Sequence, residues 1–307
     1  MKVTLASSSG VSIPVLNSLN SSSTTQLLSV ITNPDKATGR GQEVKANAIA
    51  KWCADFDVSV DKPKNHEELL SCISERSPDL LITVAYGHIL KKEVLSKPKL
   101  GAINLHYSLL PAYRGAAPVQ WALINGEEVT GVTVFKLDVG MDTGPIYVQK
   151  KVRIDSNDST SDLIAKLNLL GIDAIMESIE LIEKGYEPTP QPDLGVSYAP
   201  KFTKIDGEVN WKDSAVSIFN KFRALSDNPG VFTRHNGLKI GLNELSLNDF
   251  DSRLLLPGKF VVSGENLIVG TGSDCLSVSR LTPEGRRLMS GSDFFNGLPD
   301  KLVDYFG

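Results

Sequence analysis

Two short stretches carry groups suited to work on a carbonyl. The first is Asn104-Leu105-His106-Tyr107-Ser108-Leu109-Leu110-Pro111, and the second is Asp138-Val139-Gly140-Met141-Asp142-Thr143-Gly144. An apolar run from Leu100 to Leu105 feeds the first, so Asn104 and His106 fall at a strand end. Residues two apart on a strand share a face. Acyl transfer passes through a tetrahedral state whose oxygen gains negative charge, and an amide and a protonated imidazole are suitable donors to it. The proton lost by an attacking amine also needs an acceptor, and histidine has the side-chain pKa closest to neutrality. A carboxylate such as Asp142, close to the ring directly or through one water, would favour the imidazolium and fix its orientation. Each of the three alone has an ordinary structural explanation; all three around one Ser-Leu-Leu-Pro turn point to chemistry.

The scaffold follows from hydrophobic periodicity. Up to residue 185, short apolar runs alternate with helical patterns, the signature of βαβ units and a mostly parallel, Rossmann-like α/β sheet with helices on both faces. Strands are expected over 2–6, 27–32, 58–60, 80–85, 102–105, 131–137 and 146–151. Helices are expected over 11–19, 46–55, 67–74, 117–124 and 163–184. Pro188, Pro190, Pro192, Pro200 and Gly195 then exclude a helix and favour an extended connector. Beyond it come a helix over 215–225 and short strands punctuated by hairpin signals, with Asn236-Gly237 as a strong two-residue turn. A small C-terminal β-barrel of the oligonucleotide-binding (OB-like) kind is expected. The domain division is therefore 1–185, a linker over 186–204, and 205–307.

Composition bounds the function without choosing it. With 307 residues, 41 % apolar and 22 % charged, the chain is of ordinary globular make-up and long enough for two domains. No window approaches the apolar length of a membrane span. Three unclustered cysteines (Cys53, Cys72, Cys275) fit a reducing cytoplasm and no zinc motif. A net charge of −4 means that any polyanion binding uses local patches.

Other motifs fail. Gly39-x-Gly41 lacks the third glycine of a dinucleotide loop and follows the wrong strand. His66-Glu67-Glu68-Leu69-Leu70 lacks the second histidine of a zinc helix, and there is no GxSxG elbow. Trp52, Trp121 and Trp211 read as packing residues.

The residues Asn104-x-His106-x-Ser108-Leu109-Leu110-Pro111-x-Tyr113-Arg114-Gly115-Ala116-Ala117-Pro118, then Gly131-Val132-Thr133 and Asp138-x-Gly140-x-Asp142-Thr143-Gly144, resemble the 10-formyltetrahydrofolate-dependent formyltransferases. Within that family the chain looks most like the branch acting on methionyl initiator tRNA. The resemblance implies that Asn104, His106 and Asp142 carry catalysis. It implies that Ser108, Leu109, Leu110 and Pro111 form a folate-binding signature, and that Tyr86, Gly87, Ile89 and Leu90 of Val84–Leu90 line a pterin slot. The implied formyl donor is 10-formyltetrahydrofolate, with no metal.

A Pro34-Asp35-x-x-x-Gly39-Arg40-Gly41 insertion resembles the segment with which the tRNA-directed members enter the acceptor end of tRNA. Arg40 between two glycines, with Lys36 and Lys45 nearby, suits a phosphate backbone. Tyr198-Ala199-Pro200-Lys201, Ile205-Asp206-Gly207, Val209-Asn210-Trp211, Phe222-Arg223-Ala224, Pro229 and Pro257-Gly258 resemble the family's passage into its C-terminal domain. Arg280, Arg286 and Arg287 are candidate backbone contacts there. The turn after the first strand, Ser7-Ser8-Ser9-Gly10, departs from the family pattern, as does Lys91. A cytoplasmic monomer acting on charged initiator tRNA is the expectation. Its rivals are a formyltransferase or hydrolase serving a sugar amine or water, and a non-catalytic tRNA-binding protein.

Overall fold

The computed structural model describes residues 1–38, 43–248, 255–299 and 304–307. The chain divides into two compact units. One comprises Met1–Pro118, Val129–Arg153 and Ile164–Pro200; the other comprises Val119–Glu128, Ile154–Leu163 and Lys201–Gly307.

Apolar runs bounded by turn residues become β1 (Lys2–Ala6), β2 (Gln26–Ile31), β3 (Val60–Asp61), β4 (Leu80–Val84), β5 (Ala102–His106), β6 (Val129–Lys136) and β7 (Ile146–Arg153). They form one sheet in the order β7-β6-β5-β4-β1-β2-β3. The β1, β2, β3, β4 and β5 pairings are parallel, whereas β6 runs antiparallel to both β5 and β7. Every residue of β4 is buried, as befits a strand covered on both faces.

Helices α1 (Ile13–Ser21), α2 (Ala48–Asp55), α3 (His66–Arg76), α4 (Pro118–Ile124) and α5 (Thr160–Glu183) intervene along the chain. The strand order reverses direction at β1, so right-handed crossovers place α1 and α3 on opposite faces. Asparagines start two of these helices: Asn47 Oδ1 accepts the Ala50 N–H at 3.0 Å and Asn65 Oδ1 accepts the Glu68 N–H at 2.9 Å.

Three short features escape periodicity because none is long enough to show a period. Lys36–Thr38 and Glu43–Lys45 pair as an antiparallel ladder between β2 and α2. Asn47 ties the base of this excursion, its Nδ2 donating to the Asn33 carbonyl at 3.0 Å. Tyr198–Ala199 pairs in parallel with Arg114–Gly115, and the backbone of Thr189 exchanges hydrogen bonds with that of Ile146. The proline-rich stretch is thus extended, and it is threaded along the first unit.

In the second unit α6 (Ala215–Leu225) precedes β8 (Val231–His235), β9 (Leu238–Asn248), β10 (Phe260–Ser263), β11 (Asn266–Gly270), β12 (Cys275–Pro283) and β13 (Met289–Ser290). The antiparallel sheet runs β8-β9-β12-β11-β10, with β13 added to β12. Asn236 and Gly237 both adopt positive φ (48° and 78°), which is what a two-residue turn of the right twist demands. Phe260, Phe294 and Phe306 pack around His235. Trp211 stacks on Phe306 and donates to Thr233 Oγ1 at 2.8 Å, a packing role. The expected plan, a mostly parallel α/β domain followed by a separate antiparallel β domain, is the one found.

Candidate active site

A pocket of about 560 Å³ opens in the first unit. Thr83 and Asn104 are paired across β4 and β5, and His106 follows two residues on, so all three side chains share one sheet face. The segments Ala85–Leu90 and Leu137–Asp142 complete the wall together with Tyr107, Gly115, Ala116 and Pro118. Asn104, His106 and Asp142 therefore meet at one cavity.

His106 is almost fully buried, and its Nε2 lies 2.9 Å from the Tyr113 carbonyl. A carbonyl only accepts, so the ring hydrogen sits on Nε2 and the lone pair on Nδ1. That Nδ1 faces Asp142 Oδ2 at 3.8 Å. Burial pushes the imidazole below its ordinary value, against the opposing pull of the Asp142 carboxylate and the Tyr113 carbonyl. Asp142 acts in the direction expected from sequence, but desolvation outweighs it, and the resting ring is neutral at pH 7 rather than an imidazolium.

Asp142 has a positive φ of 55°, a conformation that Asp tolerates better than most residues. Its Oδ2 accepts the Gly115 N–H at 2.8 Å. Gly115 itself sits at φ 123°, where a side chain would press on the Ala199 carbonyl. Upstream, Asp138 Oδ1 accepts from Gly140 N–H (2.9 Å) and Thr143 Oγ1 (2.7 Å), which folds this segment into a tight loop.

The Thr83 hydroxyl donates to Asn104 Oδ1 at 2.7 Å. With its oxygen so engaged, the Asn104 amide presents its nitrogen as the donor end, which no hydrogen bond engages among the described residues. Thr83, the Tyr113 carbonyl and the Gly115 N–H are functional groups that sequence reasoning missed. Two are backbone atoms with no sequence signature; Thr83 could have been found from its place opposite Asn104 had the register been known.

Tyr86, Gly87, Ile89 and Leu90 lie on the pocket wall, and burial raises the Tyr86 hydroxyl to about 12, so it stays neutral. Ser108, Leu109, Leu110 and Pro111 are not among the residues of this pocket wall, although they directly follow Tyr107, which is. The Ser108 hydroxyl is consumed by the Ala112 carbonyl at 2.6 Å. Leu110 is pinned at both ends, its N–H donating to Thr133 Oγ1 (3.1 Å) and its carbonyl accepting from Gln149 Nε2 (2.7 Å). These residues build the rigid turn that delivers the Tyr113 carbonyl to His106. The departing turn also supports the site from behind, with the Ser8 N–H donating to the Ala85 carbonyl at 3.1 Å.

Gly39, Arg40 and Gly41 lie outside the described residues, and Lys36 is placed by its backbone pairing with Lys45. Arg280, Arg286 and Arg287 are exposed in the second unit.

Comparison with known proteins places the chain in a family. The family described as formyl transferase matches residues 2–179, and the formyl transferase C-terminal domain matches residues 201–299. A methionyl-tRNA formyltransferase of Thermodesulfovibrio yellowstonii is 38 % identical over 275 residues, covering 89 % of this chain and 88 % of that protein. Among solved structures, HypX from Aquifex aeolicus in complex with tetrahydrofolic acid superposes with a TM-score of 0.66 at 16 % identity, covering 100 % of this chain and 50 % of that one. An N-formyltransferase from Helicobacter canadensis, in complex with folinic acid and dTDP-3-aminofucose, gives 0.67 at 21 % identity, with 91 % and 98 % covered. At those identities the structures speak for the fold. The chain belongs to the formyl transferase family, in its methionyl-tRNA formyltransferase branch.

Proposed function

We propose that this protein transfers the formyl group of 10-formyltetrahydrofolate to the α-amino group of methionyl initiator tRNA, giving N-formylmethionyl-tRNA for translation initiation. The observation that carries the reading is the meeting of Asn104, a neutral His106 and Asp142 on one pocket, in a chain whose relatives are named for that reaction.

The pocket suits the donor. Its volume falls within the roughly 300–1,000 Å³ usual for small-molecule sites, and its walls combine apolar residues with a few polar ones. Tyr86, Gly87, Ile89 and Leu90 would hold a flat heteroaromatic ring there. When bound, 10-formyltetrahydrofolate supplies a one-carbon acyl group. Asn104 turns its amide hydrogens towards the cavity, where they stabilise an oxygen gaining negative charge. His106 accepts the amine proton at Nδ1, is held as imidazolium between the Asp142 carboxylate and the Tyr113 carbonyl, and would return the proton to the donor's leaving nitrogen as its bond to the formyl carbon breaks. The ring is uncharged at rest and charged only as reaction proceeds, so both partners act most strongly when they are needed.

Arg40 and Lys36 are assigned to the tRNA backbone, as are Arg280, Arg286 and Arg287 of the second unit. The domain roles follow: catalysis in 1–185, a linker over 186–204, tRNA contact in 205–307. Three cysteines outside any disulfide support a reducing, cytoplasmic setting, where the protein acts as a monomer.

A formyl-transfer assay with methionyl-tRNA, a sugar amine and water as acceptors tests this. Preference for methionyl-tRNA by orders of magnitude is expected; faster turnover of the sugar amine would overturn the reading.

A further inference from the structure

The aspartate loop is held by a residue from outside it. Gln191 belongs to the proline-rich connector, yet its Nε2 donates to the carbonyls of both Asp142 (2.9 Å) and Gly144 (2.8 Å). Its Oε1 accepts from the Arg114 guanidinium, at 2.7 Å from Nη2 and 3.3 Å from Nε. The chemistry fixes which way this amide points. A guanidinium has only donors and a carbonyl only accepts, so oxygen must face Arg114 and nitrogen must face the loop. Both amide hydrogens are then used, one on each carbonyl.

Arg114 immediately precedes Gly115, whose N–H holds the Asp142 carboxylate. Asp142 is thus gripped by its side chain through Gly115 and by its backbone through Gln191. The grip matters because Asp142 sits at φ 55°, a left-handed conformation that the surroundings help to hold. The two carbonyl bonds hold the backbone from which the carboxylate reaches its place 3.8 Å from His106 Nδ1.

We propose that Gln191 is a positioning residue for the reaction: it acts through Asp142, locking the loop that carries this carboxylate against the catalytic histidine. The proposal rests on the formyl-transfer reading above and adds the connector to the machinery of the first unit.

Gln191→Ala removes the whole bridge. Gln191→Glu keeps the shape and the Arg114 contact but sets a carboxylate oxygen against two carbonyls. Three readouts are compared in both variants with the wild-type protein alongside: kcat and donor KM for formyl transfer to methionyl-tRNA, amide hydrogen exchange across 138–144, and thermal melting. The expected result for both is a kcat lowered about thirtyfold, a donor KM within threefold of wild type, exchange raised at least tenfold in 138–144, and an unchanged melting temperature. A wild-type kcat or wild-type exchange in either variant would overturn the role. So would a KM that rises as much as kcat falls, or melting that collapses together with activity, since both describe a structural part only. If the wild-type protein itself fails to formylate methionyl-tRNA, it is the underlying reading that fails.

Discussion

His106 Nδ1 and Asp142 Oδ2 face each other 3.8 Å apart, two acceptors with no hydrogen between them. The separation is too long for a direct hydrogen bond. Nε2 is committed to the Tyr113 carbonyl, so Nδ1 is the ring's one position for taking a proton. In the proposed reaction the pair would receive charge at that nitrogen as the amine is deprotonated.

Removing the ring should then cost turnover and little else. His106→Ala is expected to lower kcat by about 10²- to 10⁴-fold, the range for a general acid–base group, while tRNA affinity stays within about twofold. Steady-state kinetics with a filter-binding titration checks this; a matching loss of binding would contradict the assigned role.

Thr83 should matter through Asn104. Thr83→Val removes the hydroxyl that engages Asn104 Oδ1 and frees the amide to rotate. One such hydrogen bond is worth about 1 kcal/mol, so kcat should fall between fivefold and tenfold with donor KM little changed. Thr83→Ser restores the hydroxyl and should recover most of the rate.

The pH dependence follows from burial. The His106 pKa in the folded chain lies below the unfolded reference of 6.5. Between those two values the unfolded chain binds more protons, so this histidine's contribution to stability is complete above about pH 6.5 and is lost as pH falls, by at most about 1.4 kcal/mol per pH unit. Urea titrations at several acidic pH values should show a shallower acid loss in His106→Gln. In the wild-type protein the acid limb of kcat/KM should lie below pH 6.5.

Gly144→Ala should be destabilising whatever the assay. A Cβ there would run into the Lys136 carbonyl, where the backbone cannot yield without breaking the turn between β6 and β7. A loss above about 2 kcal/mol is expected from enforced strain of this kind, read from the denaturation midpoint.

Arg40→Ala should impair use of charged tRNA and leave any slow folate hydrolysis untouched. Rates measured with and without methionyl-tRNA separate the two; equal damage to both would remove the tRNA role assigned to Arg40.

Much of the architecture was legible because it rests on long-range alternation and clear turn chemistry. Helix α6 begins and ends where the spacing puts it, and Asn236-Gly237 turns the chain as its residue types require. Asn104 and His106 share a face simply because a strand has a period of two. Short-range geometry was not legible. No pattern announces how the Ser108–Pro111 turn is held, since it is pinned by Thr133 and Gln149 from other strands. The protonation state of His106 also escaped, because it depends on how completely packing removes water, and that is a property of the assembled sheet.

Asn47 ties the chain leaving β2 to the start of α2 with one side chain. The segment between those anchors begins and ends at a single post on the sheet. The two ends of the segment are thereby fixed together, so loss of the Asn47 side chain loosens the exit from β2 and the first turn of α2 at once.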